Sequence, residues 1–308
     1  MATGKKVRCL EAEGWVSALA FSPDGKAFAA GERIVHLWET ASGQERARFE
    51  DYGESVEALA FAPDGKTLAV AIGGAVRLRD LGTGQTRARF KVDNESVSSL
   101  SFAPDGKNLA AGTRSSTVLL WDMTGPVART RSQSANLEAG ELKDLWSVLA
   151  GDDAARAYQA ILKLSAAPET SVPFLRKHLK PAVALDAKRI TQLITDLDDN
   201  QFTVREKAAA GLRQLGEVAG PALRKTLKSK PSLELRRRAE AILDAIDKQI
   251  LPPERLRVLR AIEALEMIGT DDAKAMLKEL AKGAAEDRLT EEAKLSLGRL
   301  ERRSPKKP

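Results

Sequence analysis

Over the first 130 residues apolar and polar positions alternate, and over the rest the apolar positions return every three or four residues. Three alternating stretches, VSALAF at 16–21, VEALAF at 56–61 and VSSLSF at 97–102, recur about 40 residues apart. Period two predicts half-buried strands. Each runs into the same turn chemistry: Pro23, Asp24 and Gly25, then Pro63, Asp64 and Gly65, then Pro104, Asp105 and Gly106. Proline presets φ at the first turn position, aspartate suits the second, and glycine accepts the left-handed conformation that follows. The turn leads into a second apolar run (AFAA, TLAV, NLAA), so each copy predicts a tight hairpin with a glycine bulge.

A third strand follows as RIVHLW, AVRLRD and TVLLWD, and a fourth after Gly43 and Gly84 as GQERARF and GQTRARF. Four short strands per period predict propeller blades, at 15–54, 55–95 and 96–131. Closed propellers have four to eight blades, so three copies leave two blade faces open. The opening VRCLEAEG aligns with RARFEDYG, the outer strand that ends a repeat, and the third copy's outer strand is expected in PVARTR, where Arg131 replaces Phe49 and Phe90. The expectation is therefore the C-terminal part, or a truncated version, of a longer propeller protein. The alternatives are self-association of open arcs, or coverage of an open face by the rest of the chain.

The repeated turn, with a strand ending in Trp121-Asp122, resembles the WD40 (WD-repeat) β-propeller family over residues 15 to about 131. The pair becomes Trp38-Glu39 in the first copy and Arg79-Asp80 in the second. The Gly-His pair that usually opens a repeat is replaced by GESV and NESV. The resemblance implies a non-catalytic platform for protein partners.

After a joining segment at 132–137, the 3.6-residue period predicts an α-helical region over 138–303, with a disordered tail at 304–308. Ile190, Leu193, Ile194 and Leu197 form one apolar stripe, and Leu235, Ala239, Ile242, Leu243 and Ile246 another. PFLRKHLK at 173–180 recurs as PALRKTLK at 221–228 and more faintly as AMLKELAK at 275–282. The implied unit is three helices in about 50 residues, beginning near Asp153, Thr203 and Glu254. Such units resemble armadillo or HEAT repeats, which stack into solenoids; a compact bundle is the alternative. The fold class is thus a partial WD40 β-propeller followed by an α-helical, solenoid-like domain, and the helical half is expected to fold independently.

Charge changes this picture little. Net charge is +6, and 33 of the 49 basic residues and 27 of the 43 acidic ones follow residue 130, so the excess lies in the helical half. Arg224, Lys225, Lys228, Lys230 and Arg236–Arg238 are its densest stretch, but consecutive arginines splay about 100° apart on a helix, and base-stacking aromatics are scarce there. Nucleic acid is not the expected partner. A regulatory module binding it through the basic helical half is the competing reading. No apolar run of 18 residues occurs, which argues against a membrane span. The charged N-terminus is not expected to act as an export signal, and a single cysteine, Cys9, permits no internal disulfide. A cytoplasmic setting is expected.

Candidate chemistry is sparse. Asp152-Asp153, Asp198-Asp199 and Asp271-Asp272 resemble carboxylate pairs, but they stand at predicted helix starts, where acids cap free N–H groups. The two histidines, His36 and His178, lack a neighbouring ligand or nucleophile. GTGQTR at 82–87 joins two strands rather than opening a helix, which removes the phosphate-loop reading. The expectation is no catalytic residue, no cofactor and no metal, with protein partners only.

Overall fold

The computed structural model describes residues 8–12, 14–50, 53–92, 95–124, 136–182, 187–248, 251–284 and 287–303. The expected outer strand at 126–131 and the tail at 304–308 lie outside these, as does most of the joining segment.

The strand half forms three antiparallel sheets. The first blade contains β1 (Ala18–Phe21), β2 (Ala27–Gly31), β3 (Val35–Glu39) and β4 (Glu45–Phe49). The second contains β5 (Val56–Phe61), β6 (Thr67–Ile72), β7 (Ala75–Asp80) and β8 (Thr86–Lys91). Among the described residues the third has three strands, β9 (Val97–Phe102), β10 (Asn108–Thr113) and β11 (Val118–Asp122). Strands pair in chain order within each blade, and among the described residues the sheets do not close into a ring.

The blades stack because their faces differ in size. Leu59 and Phe61 of the second blade pack against the first, in one cluster with Ala18, Ala20, Ala27 and Ala29. Its other face offers Ala58, Ala60, Ala69 and Ala71, which receive Leu100, Phe102 and Leu109 of the third. Large side chains of each blade thus fill the small-residue face of the blade before it, burying apolar area at both interfaces.

Among the described residues ten α-helices follow. α1 (Ala139–Val148) precedes three groups of three: α2 (Ala154–Ala166), α3 (Pro168–His178) and α4 (Ala187–Asp196); α5 (Phe202–Leu215), α6 (Gly220–Lys228) and α7 (Leu233–Lys248); α8 (Pro253–Ile268), α9 (Asp271–Leu280) and α10 (Arg288–Arg303). Their packing departs from serial stacking. α2 packs on α8, and α3 on α9, so the first group meets the third, while α4 packs on α5 and α6. Both predicted stripes, on α4 and α7, are used in a separate core with Ala208, Leu212 and Leu223.

The larger core crosses the two halves. Leu149, Tyr158, Ile161 and Leu164 from the helices share one cluster with Val35, Leu37, Phe49 and Leu81 from the blades, together with Ala261, Ile262 and Leu265 of α8. This revises the expectation of an independent helical half. α8 explains why: all seven residues Arg260–Glu266 are buried, so the helix is enclosed on every side, not on one stripe.

Candidate functional site

The first two of the three repeated turns sit where the blades meet the helices. Gly25, Gly65 and Gly106 have φ of 70°, 69° and 72°. Each donates its N–H to the carbonyl three residues back, on Ser22, Ala62 and Ala103, at 2.9 Å. Asp24 Oδ1 accepts from the Lys26 N–H at 3.0 Å and the Ser22 hydroxyl at 2.6 Å. Asp64 accepts from Lys66 N–H at 2.8 Å, and Asp105 from Lys107 N–H at 3.0 Å. Pro23, Pro63 and Pro104 precede these acceptors at the first turn position.

The lysine that ends each turn has a different use in each copy. Lys26 Nζ lies 3.2 Å from both Glu266 of α8 and Glu292 of α10. Lys66 Nζ donates to the Met267 carbonyl at 3.2 Å, and Lys107 is exposed. The helices therefore clamp the first two turns.

Beside that clamp lies a buried ionic cluster. Glu39 accepts from Arg260 Nε at 3.0 Å and Nη2 at 2.7 Å, from Arg46 Nη2 at 2.8 Å and from the Ser42 hydroxyl at 2.5 Å. Arg46 forks onto Glu263 at 2.7 and 2.8 Å. Arg260, 1% exposed, also donates to the Leu149 and Gly151 carbonyls at 2.8 and 2.7 Å. Two arginines and two glutamates balance in charge, as burial demands.

Burial pushes the Glu39 carboxyl up, but the Arg260 hydrogen bond, the charges of Arg46 and Arg260 and the Ser42 hydroxyl outweigh it and hold the group at about 2. Glu266 is also held at about 2: burial raises it, and Arg299, Lys26 and Ser296 more than reverse that. Burial lowers Lys26, yet the Glu266, Glu263 and Glu292 charges raise it overall. Each group is locked in its charged form, which suits a weld and not proton transfer.

Glu39 stands where the repeat pattern puts aspartate. Asp80 accepts from Thr83 N–H at 2.7 Å and pairs with Arg87. Asp122 accepts from Thr124 N–H at 2.8 Å. These aspartates close local turns; the extra methylene of Glu39 carries its carboxylate across to α8. The departure from the motif was visible in the sequence, but its partner Arg260, 221 residues away, was not.

The other candidates occupy structural positions. Asp153 caps α2 by accepting from Arg156 N–H at 2.9 Å. Asp198 accepts from Ser232 Oγ at 2.6 Å and Asp199 from Gln201 N–H at 2.7 Å. Asp271 and Asp272 lie in the first turn of α9, capped by Thr270. Buried His36 sits between Glu45 and Glu32, each at 3.1 Å, and His178 stacks on Phe174 with ring centroids 4.2 Å apart. In the basic stretch, Arg238 is held by Glu234 and Glu206 at 2.6 and 2.7 Å. An open groove of about 990 Å³ between β4, the β7–β8 turn and α2 is lined by Arg48, Arg79, Arg156 and Lys163. Within it Arg48 pairs with Glu45, and the Arg79 guanidinium lies 4.7 Å from the centre of the Phe49 ring.

A WD domain, G-beta repeat family model matches residues 4–39 and 84–122. The matched segments end at Glu39 and Asp122, and the copy ending in Arg79-Asp80 lies between them. Repeats of this kind generally mediate protein–protein interaction or scaffolding and are typically non-catalytic. No curated protein matches the sequence. Among the described residues no helix is long and apolar enough to cross a membrane.

Proposed function

We propose that this chain is a non-catalytic scaffold for protein partners, working in the cytoplasm, with no cofactor or metal. One observation carries the reading: Leu19 and Phe21, two positions apart on β1, are exposed apolar side chains on the open face of the first blade. Contiguous exposed apolar side chains at the end of a stacked array mark interaction surfaces. The locked charges at the blade–helix junction support it further, since they hold the propeller arc against α8 as a rigid platform.

The test compares capture from the source cell by the wild-type chain and by Phe21→Asp. Proteins retained by the first and lost by the second are expected. Recovery of nucleic acid alone, with affinity falling steeply as salt rises, would overturn the scaffold reading in favour of the basic helical half.

A further inference from the structure

The two open ends of the arc are the two halves of one interface that the chain already builds twice. In register with the repeat, Leu19 and Phe21 correspond to Leu59 and Phe61, and to Leu100 and Phe102. In the second and third blades these pairs fill the small-residue face of the preceding blade. In the first blade they fill no face among the described residues, and Leu19 and Phe21 are 68% and 69% exposed.

The complementary half lies on the third blade. Val35 and Leu37 receive the second blade, and Val76 and Leu78 receive the third. Their equivalents Val118 and Leu120 receive nothing within the described residues and are 75% and 68% exposed. The surface beside them keeps its small residues: Ser99 and Ser101 replace the alanines at 58 and 60, and Gly112 corresponds to Gly31. At Gly31 the need is explicit, because a Cβ there would lie 2.6 Å from Val56 of the next blade.

We propose that a second copy of this chain occupies both ends, the Leu19–Phe21 face of each copy packing on the Val118–Leu120 face of the other. This deepens the scaffold reading, resting on it only for the class of partner. Two arcs of three blades make six, within the range of closed propellers. The arrangement is two-fold symmetric, each copy giving and receiving the same contact, so it closes and does not grow into a filament. Among the described residues the helices leave these faces free, since they clamp the turns at Lys26 and Lys66 and the outer strand β4.

Light scattering on the full chain at micromolar concentration should give twice the 33.3 kDa chain mass. Phe21→Asp and Leu120→Asp, each checked for folding by circular dichroism, should weaken the pair by roughly 30-fold at each of the two contacts, the loss expected of a buried hot-spot residue. Leu19→Ser is the milder substitute if an aspartate variant fails to fold. Mixing the two aspartate variants should restore association in part, because one undamaged contact remains in each mixed pair. A monomeric wild-type chain overturns the proposal, and if it still captures other proteins the scaffold reading stands without it. Association lost in Phe21→Asp but unchanged in Leu120→Asp also overturns it, pointing to like faces pairing.

Discussion

Gly25 tests the turn assignment cleanly, because a Cβ there would meet nothing within 4 Å while its φ of 70° resists one. Replacing Gly25 or Gly65 by valine should cost about 1–3 kcal/mol from backbone strain, read as a lower denaturation midpoint with an unchanged slope. Glu39 is the sharper case. Glu39→Gln leaves Arg46 and Arg260 buried with one carboxylate fewer, and should cost about 3–5 kcal/mol. Glu39→Asp restores the residue that the other two copies carry at Asp80 and Asp122, yet should also destabilise, because the shorter side chain loses its reach to Arg260. Chemical denaturation of both variants checks the order: a stability of Glu39→Asp equal to wild type would show that the contact with α8 contributes nothing.

α8 is the element on which both halves depend, and its charges make that dependence sensitive to acid. Glu39 and Glu266 titrate at about 2 in the fold, against an ordinary value of 4.5 in the unfolded chain. Above pH 4.5 their contribution to stability is fully present. It is lost as pH falls toward 2, because the unfolded chain takes up protons that the folded one refuses. The thermal midpoint should therefore drop across that window. In Glu39→Gln the drop should be smaller, one titrating group having been removed; an identical acid limb would mean that Glu39 is not ionised in the folded junction.

Across the molecule, one core joins the first two blades to α1–α3 and α8–α10, a second belongs to α4–α7 alone, and a third lies between the second and third blades. Truncations should follow this division and not the boundary between strands and helices. Residues 136–303 expressed alone would leave Arg260 and Glu263 without Glu39 and Arg46. That piece should expose apolar surface and bind a hydrophobic dye, whereas the full chain should not. In the full chain, Ile242→Ala should raise hydrogen exchange within α4–α7 only, while Ile161→Ala should raise it in helices and blades together. Uniform effects from both substitutions would merge the two cores into one cooperative unit.

Local structure was written in the sequence. Alternation, Pro-Asp-Gly turns and 3.6-residue stripes depend on neighbours a few positions apart, so the antiparallel blades and the helical region after them could be read from the residues directly. Even the weld left a trace, in the glutamate of Trp38-Glu39 and in the charges of an otherwise apolar α8. The tertiary structure alone decided where those charges go and which groups of helices meet. A buried carboxylate must find a cation wherever the chain brings one, and an apolar stripe accepts any complementary stripe within reach. Periodicity states that a face will be covered; only packing selects what covers it.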